Sequence, residues 1–146
     1  MKVSHDDARF AVSAAVGGKT EVELGQLASK NAMATAVKDF GSMMVKDHSA
    51  AGEKLKALAK TKGITLPDSL DESGLKIRAK LSAKTGKDFD KAYVDDMIED
   101  HKQDIKEFES AIPRLKDPEL KAFAISTLPT LKMHLATIQK VKQQIK

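Results

Sequence analysis

Apolar residues recur at three- and four-residue intervals along almost the whole chain, the period of helices that each bury one face. Ser4-x-x-Asp7 reads as a capping box opening the first helix, and Phe10, Ala14, Gly17, Glu21, Leu24 and Ala28 share one stripe behind it. Gly17-Gly18 lies within that stripe. Each glycine lowers helix propensity by about 1 kcal/mol relative to alanine, a cost usually compensated by close approach of a second helix. Asn31 is the expected N-cap of the next helix, whose inner stripe is Val37, Phe40, Met44, His48, Ala51, Leu55 and Leu58. Gly63 is placed to end it as a C′ residue with Ile64 following, and Thr65-Leu66-Pro67-Asp68 is a linker.

A shorter helix is expected over 71–83, carrying Leu75, Ala79 and Leu81. Thr85-x-x-Asp88 is a second capping-box pattern. Behind it Phe89, Tyr93, Met97, His101, Ile105, Phe108 and Ile112 form the stripe of a third long helix that Pro113 ends. Asp117-Pro118-Glu119 starts the last helix with an N-cap, a proline at the first helical position and an acid in the first turn. Its stripe is Leu120, Phe123, Thr127, Leu131, His134, Ile138, Val141 and Ile145; Pro129 leaves the carbonyl of Ile125 without its N–H and predicts a kink. The expected fold is all-α: a ferritin-like antiparallel four-helix bundle with a short extra helix between helices two and three, one domain over 1–146. Composition agrees, since aromatics are 4% and tryptophan is absent, leaving a core of Ala, Leu, Ile, Val and Met.

Charge narrows the function classes. The net charge of +4 arises from 25 basic and 21 acidic residues that interleave, as in Glu99, Asp100, Lys102, Asp104 and Lys106. This is the pattern of a solvated helix face, and no nucleic-acid partner is expected. Without cysteine there are no disulfides, thiolate chemistry or Cys-based zinc sites. No apolar run approaches the ~20 residues of a membrane span. Met1-Lys2 leads directly into Ser4-His5-Asp6-Asp7 without a signal peptide, the expectation for a cytosolic protein or a mature exported one.

The candidate chemistry is histidine. His48, His101 and His134 each take an apolar place on the inner stripe of a different long helix. Met44-Val45-Lys46-Asp47-His48 is echoed by Met97-Ile98-Glu99-Asp100-His101, with each Met one turn before its His. On an antiparallel pair His48 and His101 both lie ~21 Å from the same end, whereas His134 is mismatched with His101 by ~8 Å. Imidazoles in this arrangement suit a transition ion such as Zn, Cu or Fe, and thioethers favour Cu(I), which makes Met44 and Met97 weaker candidates. Asp47, Asp100 and Asp104 are candidates to orient the rings. Haem would need a more aromatic pocket. No di-iron carboxylate centre is expected, because Glu-x-x-His is missing: Val45, Ile98 and Leu131 stand three before the histidines. Glu21 is the one acid on an inner stripe, a weak ligand candidate expected some turns from the histidines and paired with a lysine. No nucleophile elbow, P-loop or dinucleotide fingerprint is present, and the balance falls on a non-enzymatic role.

Glu21-Val22-Glu23-Leu24-Gly25, the two Met-x-x-Asp-His segments, Gly86-Lys87-Asp88-Phe89-Asp90-Lys91-Ala92-Tyr93 and Leu128-Pro129-Thr130-Leu131-Lys132-Met133-His134-Leu135 together make a further point. Through them the chain resembles the bacterial domain-of-unknown-function 4142 family over nearly its whole length. The resemblance implies a ferritin-like bundle. It also implies export to the periplasm or cell envelope, since members usually carry a signal or lipoprotein leader and are often labelled outer-membrane proteins. This chain would then be a mature form. The family brings no activity with it. Two functions therefore stand side by side: a periplasmic metal-binding bundle using the three histidines, and a non-enzymatic envelope or stress-related interaction module whose histidines are structural.

Overall fold

The computed structural model describes residues 3–146. Five helices follow in order, α1 (His5–Asn31), α2 (Thr35–Lys62), α3 (Glu72–Ser82), α4 (Gly86–Ala111) and α5 (Pro118–Gln144). Among the described residues the only β-type pairing is an isolated bridge between Ala32 and Gly86. The four long helices form a bundle in which α1 packs on α2, α4 on α5, α2 faces α5 and α1 faces α4; the short α3 lies against α1 and α4.

Local chemistry sets most helix ends. Ser4 Oγ accepts from the Asp7 N–H at 3.1 Å. Gly63 closes α2 in the left-handed region (φ 70°), and the Ile64 N–H returns to the Ala59 carbonyl. Asp71 caps α3 and Asp117 caps α5 through the N–H groups of Gly74 and Leu120.

Two expected caps differ. Asn31 ends α1 instead of starting α2; its side chain donates to the Lys84 carbonyl. The first residues of α2 are held from a distance, because buried Asp90 of α4 accepts from the Met33 and Ala34 N–H groups, both at 2.9 Å. Thr85 makes no side-chain cap at the start of α4, so the Thr85–Asp88 box does not form. Asp7 likewise does not complete a local box, but accepts from the Lys116 and Asp117 N–H groups and ties α1 to the α4–α5 turn.

The glycine contact between α1 and α2 is not at Gly17-Gly18. A Cβ on Gly25 would sit 2.6 Å from the Gly41 carbonyl oxygen, and one on Gly41 2.7 Å from Ala28 Cβ, so the backbones meet there. Gly17 and Gly18 face side chains instead, Asp104 and His48, each 3.9 Å from an ideal Cβ. In α3 the buried side is Gly74 and Leu81, with Ile77 partly covered, whereas Leu75 and Ala79 are exposed. Helix α5 continues through Pro129, and Ile125, whose carbonyl lost its donor, is on the solvent side.

The interior is divided in two. One apolar cluster centres on Leu24, Phe40, Met44, Phe89, Tyr93, Met97 and Ile138, the other on Phe10, Leu55, Phe108, Leu120, Phe123 and Leu131. Along α2, α4 and α5 the three histidines fall between the members of these clusters, forming a polar layer across the bundle. On the surface the charges stay mixed, as in the pairs Lys132–Glu109 and Lys142–Asp95, and no nucleic-acid surface is indicated.

Candidate metal centre

His48 of α2, His101 of α4 and His134 of α5 are all buried, at 8%, 0% and 0% exposure. Each offers one ring nitrogen, and these three atoms lie within 4.8 Å of one another. The ring centroids are 6.0 Å apart for His48–His101, 5.3 Å for His48–His134 and 5.4 Å for His101–His134. The height mismatch expected for His134 is therefore absent. Phe40 closes the layer on one side, edge-on to His101 and His134 at 6.1 and 6.3 Å.

In two of the rings a hydrogen bond selects the nitrogen left free. His101 Nδ1 is 2.8 Å from the Met97 carbonyl oxygen, which only accepts, so Nδ1 carries the proton and donates. His134 Nε2 lies 2.7 Å from Asp47 Oδ2 and donates to it in the same way. The opposite atoms, His101 Nε2 and His134 Nδ1, are left as lone pairs with no hydrogen-bond partner, and His48 Nε2 is buried without a partner as well. A buried acceptor without a partner costs roughly 1–3 kcal/mol. Three in one layer is an arrangement that a packed core would not favour for its own sake.

Electrostatics keeps the rings neutral. Burial, reinforced by His134 and His101, pushes His48 down to about 3. Burial pushes His101 down to about 4 against the opposing bond to Met97. His134 is also lowered by burial, although the Asp47 carboxylate opposes the shift. Neutral imidazole is the form that ligates metals.

Of the proposed orienting acids only Asp47 is hydrogen-bonded to a histidine. Asp100 stands about 100° from His101 around α4 and Asp104 about 60° from it on the same side, and neither is hydrogen-bonded to a ring. They face Glu21 of α1. Glu21 is buried at 2% exposure. Its neighbours are carboxylates and not a lysine, and burial followed by repulsion from Asp100 and Asp104 raises its pKa well above the ordinary value. Met44 and Met97 are fully buried in the apolar cluster beside the layer. A small pocket of about 40 Å³, lined by Gly17, Gly18, Gly52 and Asp104, reaches His48.

The model of a domain of unknown function, DUF4142, matches residues 1–141. The chain belongs to the DUF4142 family. No curated protein matches it. Three solved structures show the same fold at low identity. A DUF305 fragment from Deinococcus radiodurans is 11% identical over 99% of each chain, with a TM-score of 0.87. A DUF305 protein from Streptomyces coelicolor, whose name includes the designation secreted, is 14% identical over 96% of this chain and 93% of that one, at 0.80. CopM in its Cu(I)-bound form is 12% identical over 94% and 96%, at 0.78. No helix among the described residues of this DUF4142 chain is long and apolar enough to cross a membrane.

Proposed function

We propose that this DUF4142 chain is a metal-binding protein of the cell envelope or periplasm, holding one transition ion on His48 Nε2, His101 Nε2 and His134 Nδ1. The observation that carries the reading is the set of three buried, unpartnered ring nitrogens from three helices, two of them fixed in the ligating tautomer by hydrogen bonds on the far side of the ring. Three nitrogens at metal distances of ~2.0–2.1 Å lie ~3.3–3.6 Å apart, so nitrogens within 4.8 Å of one another close on an ion by side-chain adjustment of at most ~1.5 Å. Among the candidate ions Zn, Cu and Fe, copper has the support of the Cu(I)-bound CopM, which shares the fold. With three protein ligands and a fourth position open, the site resembles one that exchanges or reacts with its ion more than a closed structural site. The envelope location is supported by the secreted designation of one structural relative.

Thermal melts of metal-free protein with added Cu(I), Zn and Fe(II) test the proposal. At least one ion should raise Tm with rising concentration, because a ligand bound only to the folded state stabilises it by mass action. The shift should vanish in His48→Ala, His101→Ala and His134→Ala. No shift with any ion, or a shift that survives all three substitutions, would leave the histidines as structural members of an interaction module.

A further inference from the structure

The histidine layer uses one side of α4; the acidic side of the same helix faces a second feature. A cavity of about 1040 Å³ opens between α1, α3, the segment before α3, and α4. Val12 and Val16 of α1, Ile64 and Leu70 of the linker and Ile77 of α3 give it apolar walls. Glu21, Asp100 and Asp104 line it from α1 and α4. Glu21 is almost wholly buried, and its Oε2 has no hydrogen-bond partner. Among the described residues no lysine or arginine forms an ion pair with any of the three acids. Lys62, at the cavity's edge, is engaged by Asp117 and Glu119 at 3.0 and 2.8 Å. Arg9 also lines the cavity but forms no ion pair with the three acids, so a largely apolar chamber ends in carboxylates without a bonded counter-charge.

We propose that this cavity binds a small organic cation of the alkylammonium class, its ammonium on Glu21 and Asp104 and its apolar stem along Val12, Val16, Ile64 and Ile77. Pockets for small molecules have this make-up, mainly apolar walls with a few convergent polar groups that fix orientation. A bare divalent ion fits less well. Hard cations take six to eight oxygens around them, whereas these acids lie on one side of a large chamber. Among the described residues the one group of histidines and acids at metal spacing is the histidine trio. The acids also resist ionising together. Burial and mutual repulsion raise Glu21 well above its ordinary value and push Asp104 up to about 7. A bound ammonium relieves that repulsion.

Calorimetric titration of the full chain at pH 7.5 in EDTA tests the site with hexylammonium and, as its neutral counterpart, 1-hexanol. Hexylammonium should bind one per chain and hexanol at least tenfold more weakly. Glu21→Gln and Asp104→Asn should each weaken hexylammonium tenfold or more with an unchanged circular dichroism spectrum. Amide chemical shifts of Val12, Val16 and Ile77 in the wild type should move on hexylammonium addition, which keeps the test decisive if a variant fails to fold. The proposal is overturned if hexylammonium does not bind, if hexanol binds equally well, or if both variants bind as the wild type does. Carboxylate-dependent binding of Ca²⁺, in EDTA-free buffer, without any of hexylammonium would overturn the ligand class.

Discussion

Replacing His48 with leucine tests whether the layer is neutral and dry. His48 is 8% exposed, and burial with its two histidine neighbours lowers it to about 3. In the unfolded chain the same side chain titrates near ~6.5. Below that value the unfolded state takes up a proton that the native state refuses. The contribution of His48 to stability is therefore complete above ~6.5 and is lost progressively as pH falls towards about 3. At pH 5 the loss is about 2 kcal/mol, and it stays near that figure for any native value below ~4. The pH profile of the wild type alone does not isolate this effect. Asp104 and Asp100, raised to about 7 and about 6 by burial and repulsion, bind protons more readily when folded and so add stability as pH falls through the same range. Both acids remain in His48→Leu, and their effect cancels in the difference. Urea unfolding of both proteins in EDTA, at pH 8 and pH 5, should show the leucine variant gaining about 2 kcal/mol on the wild type at the lower pH. A change under about 0.5 kcal/mol, within extrapolation error, would mean that His48 titrates as a hydrated histidine and refute the dry layer.

Gly41→Ala should destabilise the bundle by about 1–3 kcal/mol, because the new methyl meets the backbone of α1 and neither helix can yield without separating; chemical denaturation measures it. Asp90→Ala should cost about 2–3 kcal/mol by removing both side-chain bonds to the start of α2, and faster amide exchange at Met33 and Ala34 should accompany the loss. Asp47→Ala should weaken metal affinity about 10–100-fold while leaving the ion-free fold intact, since it frees His134 without removing a ligand; direct metal titration distinguishes this from simple destabilisation.

The helices were legible because their signals are local. Ser4, Gly63 and Asp117 act on N–H and carbonyl groups a few residues away, and each does so in the folded chain. Asn31 and Thr85 carried equally good local signals, yet Asn31 bonds to Lys84 instead and Thr85 makes no side-chain cap. Asp90, distant in sequence, reaches the start of α2, and no pattern around Asn31 announces that. The histidines were readable as a set because inward-facing polar residues stand out on apolar stripes. Which ring nitrogen stays free was not readable, since it depends on Met97 and Asp47 being in reach. The acids on α4 were misassigned to the histidines because nearness in sequence is not nearness on a helix: Asp100 stands about 100° and Asp104 about 60° from His101, and both face Glu21 of α1. Glu21 follows from the same point, as its neighbours are set by how α1 and α4 face each other. The Gly25–Gly41 contact involves two glycines from different helices, and neither lies in a doublet that would draw notice.

The most direct test of the central claim is X-ray absorption on the chain loaded with whichever of Cu(I), Zn or Fe(II) gives the largest thermal shift. The account predicts one ion per chain with three nitrogen neighbours at ~2.0–2.1 Å carrying the outer-shell signature of imidazole rings, and the loss of that shell in a His48→Ala, His101→Ala, His134→Ala triple variant. A first shell of sulfur, a shell of oxygen without imidazole, or a spectrum unchanged in the triple variant would contradict it.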